Sequence, residues 1–199
     1  MGPLHWITPA IATIDGFLTP EACEALIARS EASGFEQAPI STAEGAYVVP
    51  DVRNNARVII DDAALAGDLW ARLAPAWPAM FGSTWRAIGL NERLRFYRYH
   101  PGQRFDWHID GHFARANGER SFFTFMVYLN DGYAGGETIF SDRAERDHPR
   151  HIVAPRQGMA LLFRHVLNHT GSAVERGIKY VLRSDVMYRD APAVTGAEA

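Results

Sequence analysis

The stretch Ser121–Leu129, Ser-Phe-Phe-Thr-Phe-Met-Val-Tyr-Leu, constrains this chain more than any other. It is rich in aromatic side chains, nearly continuous in its apolar character, and closed by the turn sequence Asn130-Asp131-Gly132. That pattern predicts a strand buried on both faces. Around it the period is that of short strands. Arg93–Tyr99 alternates, and further strands are expected near Glu137–Phe140, His151–Val153, Gly158–Arg164 and Lys179–Met187, with Gly and Pro between them. The first part of the chain reads differently. Thr19-Pro20-Glu21 is a helix start, with a capping hydroxyl, proline in the first turn and an acid after it; the helix runs to a stop at Gly34, with Cys23, Leu26 and Ile27 inward. A second helix begins at Asp61-Asp62 and runs to Leu73, with Leu65, Leu69, Trp70 and Leu73 recurring at three and four, ended by Pro75 and Pro78. The expectation is an α+β, mainly β chain: a β-sandwich or jelly-roll barrel flanked by N-terminal helices.

The 199 residues fit one domain, and 47% apolar residues suffice for one core. Expected boundaries are residues 1–190 for that domain, divided into a helical support (1–90) and a β core (91–188), with a mobile tail at 191–199. A single cysteine, Cys23, excludes an intramolecular disulfide framework and a thiolate zinc cluster. A net charge of −3 gives no basic surplus for nucleic acid. Neither a signal peptide nor a membrane helix is expected, so the default is a cytoplasmic protein. Two segments read as loops: the mixed-charge run Ser141–Asp147, and Ala38–Asn55, whose length suits a lid.

Chemistry concentrates at Phe105-Asp106-Trp107-His108-Ile109-Asp110. At a strand end His108 and Asp110 point the same way, with Cα atoms roughly 6.5 Å apart. An imidazole and a carboxylate can share one ion from that spacing, with bonds of about 2.1 Å. His-X-Asp alone is weak, because it arises by chance in many chains. His112 has the same parity but lies about 13 Å from His108 along an extended strand. A third ligand is therefore expected from a distant histidine: His169, in Leu167-Asn168-His169-Thr170-Gly171, with His165 as the competing choice. Two histidines and a carboxylate leave coordination positions open, as in non-haem Fe(II) oxygenases. His5, His100, His148 and His151 read as surface groups. Lysine occurs once among the 20 basic residues, as Lys179. It opens the last predicted strand, where Lys179, Val181 and Arg183 share a face. A cation inside a barrel is costly unless an anion meets it, and a dicarboxylate would supply one.

Taken in order, Tyr99-His100-Pro101-Gly102-Gln103, His108-Ile109-Asp110, Thr124–Asn130, Gly135-Gly136-Glu137-Thr138, and His169 with Lys179 resemble the prolyl-4-hydroxylase-like branch of the Fe(II)/2-oxoglutarate-dependent dioxygenases. The matched features span about residues 91–188. The resemblance implies a double-stranded β-helix, of the cupin-like jelly-roll kind, with His108, Asp110 and His169 as Fe(II) ligands. It implies that Lys179 pairs with the distal carboxylate of 2-oxoglutarate, that Tyr99 and Thr138 hydrogen-bond it, and that Arg183 is a second cation near the cosubstrate or substrate. The implied activity is hydroxylation of an unactivated C–H bond of a peptidyl residue, prolyl-type, or of a small molecule, using O2 and releasing succinate and CO2, with ascorbate as a reductant. A carboxylate at Asp110, where related halogenases have a small residue, favours hydroxylation. The alternative is a non-catalytic metal-binding jelly-roll that senses or sequesters a ligand.

Two departures from the family pattern bear on the substrate. Phe105 stands where prolyl hydroxylases carry tyrosine, which removes a phenolic donor from the cosubstrate pocket. Arg183-Ser184-Asp185 replaces an expected tryptophan. Substrate contacts are expected from Arg53, Asn54, Asn55 and Arg57, a polar cluster that either closes over an anionic or peptide substrate or caps a solvated loop. Trp107 and Phe113 are candidates for the pocket wall, and Arg120 for its opening.

Overall fold

The computed structural model describes residues 1–42, 45–141 and 151–191. The chain opens with the hairpin β1 (Leu4–Thr8) and β2 (Ile11–Ile14), followed by α1 (Pro20–Ser33). Thr19 caps α1 by accepting from the Ala22 amide at 3.3 Å, and Gly34 ends it at φ 79°. Next come β3 (Glu36–Gln37), the hairpin β4 (Ile40–Thr42) and β5 (Gly45–Tyr47), and β6 (Ala56–Asp61). The second helix, α2 (Ala63–Leu73), is capped by Asp62, which accepts from the Leu65 amide at 2.9 Å. The remaining strands are β7 (Met80–Phe81), β8 (Trp85–Leu90), β9 (Arg93–Tyr99), β10 (Phe105–His108), β11 (Arg120–Tyr128), β12 (Ala134–Gly135), β13 (Thr138–Ser141), β14 (His151–Val153), β15 (Ala160–Arg164), β16 (Asn168–Gly171), β17 (Val174–Arg176) and β18 (Lys179–Asp190).

A main sheet runs in the order β1-β2-β15-β11-β18-β9-β6-β3, with β8 pairing along the second half of β18 and β7 along β8. A smaller sheet, β10-β16-β13-β14, faces it. This is the expected jelly-roll. The prediction of two-sided burial for Ser121–Leu129 holds because alternate residues of β11 enter different cores. Phe123, Phe125 and Val127 pack with Cys23, Leu69 and Leu73 of the helices, while Met126 and Tyr128 pack with Phe140 and Val153 of the smaller sheet. Strand β9 divides in the same way, Leu94 and Phe96 to the helices, Tyr97 and Tyr99 to the space between the sheets. Residues 1–90 are more than the helical support expected of them. Their strands β1, β2, β6 and β8 widen the main sheet on both sides of its β15-β11-β18-β9 centre.

The Ala38–Asn55 segment is partly ordered as the β4–β5 hairpin, and Arg53 bridges to Phe105. Most of the mixed-charge run Ser141–Asp147 and all but the first residue of the tail 191–199 lie outside the described residues. No helix among the described residues is long and apolar enough to cross a membrane.

Candidate active site and metal centre

His108 ends β10 and His169 lies in β16, directly opposite it in the antiparallel ladder. The two rings are 4.2 Å apart, centroid to centroid. Asp110 follows β10 on a segment fixed by its own amide, which donates to the His165 carbonyl at 3.1 Å. The His108, Asp110 and His169 ligand atoms all lie within 4.8 Å of one another. Nε2 of His108 is 3.7 Å from Asp110 Oδ1, and Nε2 of His169 is 3.8 Å from Oδ2.

Both imidazoles present a lone pair to this centre. His108 Nδ1 lies 2.7 Å from the Asp106 carbonyl, and His169 Nδ1 lies 3.0 Å from the Leu167 carbonyl. A carbonyl only accepts, so each Nδ1 carries the hydrogen and each Nε2 is left bare. Burial, then the neighbouring His169, pushes His108 down to about 3, and burial also lowers His169, so both rings are neutral near pH 7. Burial works to raise the Asp110 carboxyl, but Arg183, the two histidines and Thr124 outweigh it and hold Asp110 well below the usual carboxylate range. Two neutral nitrogen donors and one carboxylate, buried and converging, form a donor set that fits a divalent ion of the Fe(II) class. Phe105, the residue found in place of tyrosine, stacks on His108 at 3.5 Å and 16°.

Asp110 is held at both oxygens. Thr124 Oγ1 donates to Oδ2 at 2.5 Å, and Arg183 Nη1 lies 3.0 Å from Oδ1. His165, the competing ligand candidate, is not in the cluster. It bonds to Thr124 at 3.1 Å and to Ser121 at 2.9 Å, behind the carboxylate. Thr124 was not singled out from sequence; its signal is its place on the Met126–Tyr128 face of β11. Arg183 lines the cavity beside Asp110. Its guanidinium is engaged by Asp110 and, at 3.6 Å, by Asp185.

Lys179 sits at the other end of the same cavity, which His108, Asp110 and His169 also line. It pairs across the ladder with Tyr99 and is 3% exposed. Its Nζ donates to the Gly136 carbonyl at 2.6 Å and lies 5.1 Å from the Tyr99 ring centre and 5.4 Å from that of Tyr128. It has no ion pair among the described residues. Burial lowers it to about 8, against the pull of Glu137. Thr138 Oγ1 and the Tyr128 hydroxyl share a hydrogen bond of 2.6 Å beside it. Tyr128 is a second residue the sequence reading left in the core. The Gly-Gly element has a steric reason. A Cβ on Gly135 would fall 2.3 Å from the Ala173 carbonyl oxygen, and one on Gly136 would fall 3.1 Å from Lys179 Cδ.

The polar cluster stays largely together, with Arg53 and Arg57 lining one cavity. Arg53 is buried and stacks on Phe105 at 4.2 Å and Tyr97 at 4.6 Å, with Asn55 accepting from its Nε at 2.7 Å. Asn54 instead accepts from the Arg104 amide. Arg57 and Phe113 line a wider cavity beside the cluster, as does the exposed His112. Trp107 lines neither cavity, and Arg120 stacks on Trp85 at 5.2 Å. His5 and His100 are exposed, His151 is half-buried in β14, and His148 lies outside the described residues.

The model of the 2OG-Fe(II) oxygenase superfamily matches residues 94–184. The chain is 27% identical over 179 residues to a probable prolyl 4-hydroxylase 7 of Arabidopsis thaliana, covering 80% of this chain and 54% of the relative. It is 29% identical over 178 residues to prolyl 4-hydroxylase 2 of the same plant, covering 78% and 56%. The chain thus spans about half the length of the curated relatives it matches. Among solved structures, a Pseudomonas putida prolyl-4-hydroxylase superposes with a TM-score of 0.63 at 20% identity, over 89% of this chain and 92% of that one. A Trichoplax adhaerens prolyl hydroxylase in complex with a hypoxia inducible factor peptide fragment gives 0.64 at 16% identity, over 90% and 84%. At those identities the structural likeness speaks for the fold.

Proposed function

We propose that this chain is a member of the 2OG-Fe(II) oxygenase superfamily, whose model matches residues 94–184, and an Fe(II)- and 2-oxoglutarate-dependent dioxygenase that hydroxylates an unactivated C–H bond. The observation that carries the reading is the joint placement of His108, Asp110 and His169 opposite the chain's single lysine, across one cavity. When bound, the metal and the 2-oxo acid supply the oxidising power drawn from O2, and succinate and CO2 leave as products. The protein's part is to hold these groups and keep water out. The Nε2 atoms of His108 and His169 and the Asp110 carboxylate would take three positions on the ion, leaving others for the 2-oxo acid and O2. Thr124 and Arg183 fix the rotamer of Asp110. The Lys179 ammonium would receive the distal carboxylate, with the Tyr99, Tyr128 and Thr138 hydroxyls around it. Met126, Phe163 and Val181 form the apolar wall that limits water.

A peptidyl residue of prolyl type and a small molecule are both compatible with this chemistry. The prolyl reading draws on the names of the relatives, while Phe105 and the run Arg183-Ser184-Asp185 depart from that branch. Ascorbate would serve as the reductant. The test is spectroscopic and chemical. Adding Fe(II) and 2-oxoglutarate without oxygen should produce a weak visible charge-transfer band. Admitting O2 should bleach it and release succinate. A protein that binds metal and acid yet forms no succinate would be a sequestering jelly-roll instead.

A further inference from the structure

The wider cavity beside the metal cluster has a volume of about 390 Å3 and shares Tyr97, Phe105, His108, Asp110 and Arg183 with the narrower one that holds Lys179. Four arginines line it against one carboxylate, Asp110. In the main sheet Arg57 stands opposite Tyr97, and Arg95 stands opposite Arg183, so the ladder brings arginines of β6, β9 and β18 to one face. Arg53 reaches the same cavity from the loop before β6. Two of the four are neutralised: Arg95 pairs with Asp185 at 3.1 Å, and Arg183 with Asp110 at 3.0 Å. The other two are not. The Arg57 side chain has neither hydrogen bond nor ion pair among the described residues. Arg53 is 4% exposed, and its Nη2 lacks any hydrogen-bond partner. Burial and the like charges of Arg53, Arg95 and Arg93 lower Arg57, with only Tyr97 pulling the other way. Two neighbouring guanidiniums left without an ion pair in a half-buried site are costly until an anion meets them. The opposite wall is apolar, made by Ile40, Val52, Ile109 and Phe113.

Building on the oxygenase reading, we propose that this cavity is the substrate subsite and that the substrate is a small carboxylic acid with an apolar body, its carboxylate seated on Arg57 with support from Arg95 and Arg53. A guanidinium fork matches a carboxylate in two parallel hydrogen bonds, which an ammonium does not. The size favours a small molecule, since pockets for such ligands run about 300–1,000 Å3. The apolar wall then receives the hydrocarbon part, and the shared residues bring it alongside the metal cluster.

The experiment is calorimetric and uses the metal-free chain, so it does not depend on turnover. The probes are hexanoate, hexanamide and hexyl phosphate. Hexanoate should bind, and hexanamide should bind at least about tenfold more weakly, the loss expected for one charge-assisted contact. R57Q should weaken hexanoate by about tenfold, R57K should recover part of it, and K179M should leave it intact. Arg57 has no hydrogen-bond or ion-pair partner to lose among the described residues, so R57Q is expected to fold, which its thermal melt checks. Hexanoate and hexanamide binding alike, hexanoate lost in K179M but not in R57Q, or hexyl phosphate binding where hexanoate does not, would each overturn the proposal. Because no oxygen chemistry enters, hexanoate binding in a chain that forms no succinate would sink the oxygenase reading alone. Succinate formation without hexanoate binding would sink this one alone.

Discussion

The two ends of the site treat their cations in opposite ways. At one end Lys179 is sealed among Tyr99, Tyr128 and Thr138, with a backbone carbonyl as its sole hydrogen-bond partner among the described residues. At the other, Arg183 is already ion-paired with Asp110 and Asp185. A buried ammonium without an anion is a standing cost that a ligand carboxylate removes. A guanidinium fixed on the Asp110 carboxylate is already occupied, and it is less available to a second acid. On the proposed reading the lysine is the socket and the arginine the brace, although both lie on one face of β18.

Substitutions break this contrast in graded steps. The largest effect is expected for D110A, which removes the carboxylate of the cluster. Iron content and succinate formation should both fall below detection, measured by metal analysis and by succinate assay; retained turnover would refute the ligand role. K179M should weaken 2-oxoglutarate by about a hundredfold, the scale of losing a buried charged partner worth about 3 kcal/mol. It should leave metal affinity nearly unchanged in equilibrium titration. R183Q should do the reverse and cost about tenfold or more in metal affinity, as outer-sphere partners of ligands do. Equal effects of K179M and R183Q on 2-oxoglutarate would erase the distinction between socket and brace.

Acidity sharpens the same comparison. In the free protein the Lys179 ammonium is lowered from 10.5 to about 8. The protonated form is the one a carboxylate needs, so 2-oxoglutarate affinity should be flat below pH 7 and fall by up to about tenfold per pH unit above 8. K179R, with a guanidinium that does not titrate there, should flatten the profile. Between pH 8 and 10.5 the unfolded chain binds more protons at this lysine than the folded one. The ligand-free protein should therefore gain stability as pH rises through that window, read by denaturant titration. The smallest effect is expected for G136A. Its φ of 72° and its 3.1 Å approach to Lys179 Cδ predict a loss of about 1–2 kcal/mol in unfolding titrations, with modestly weaker 2-oxoglutarate binding.

Much of this was legible in the sequence because it is local. The caps at Thr19 and Asp62, the alternation of Arg93–Tyr99 and the double-sided run on β11 are short-range patterns, and the structure has them where they were expected. The N-terminal strands were not legible. β1 is mostly exposed and β6 is evenly half-buried, so neither shows an inside and an outside to alternate between. His108 and Asp110 were readable as neighbours on one strand end. Their convergence with His169 depends on the β10–β16 pairing, which sequence spacing does not fix. Tyr128 was hidden because an apolar run masks which of its residues carries a buried hydrogen bond. The partner of Arg183 was hidden because an ion pair between residues 110 and 183 follows only from sheet register.

A crystal structure with Mn(II) in place of Fe(II) and 2-oxoglutarate bound tests the central claim most directly. The account predicts one ion at about 2.1 Å from Nε2 of both His108 and His169 and bonded to the Asp110 carboxylate. It also predicts the distal carboxylate within about 3 Å of Lys179 Nζ. An ion held elsewhere, or the diacid seated on Arg183 with Lys179 left unpaired, would contradict it.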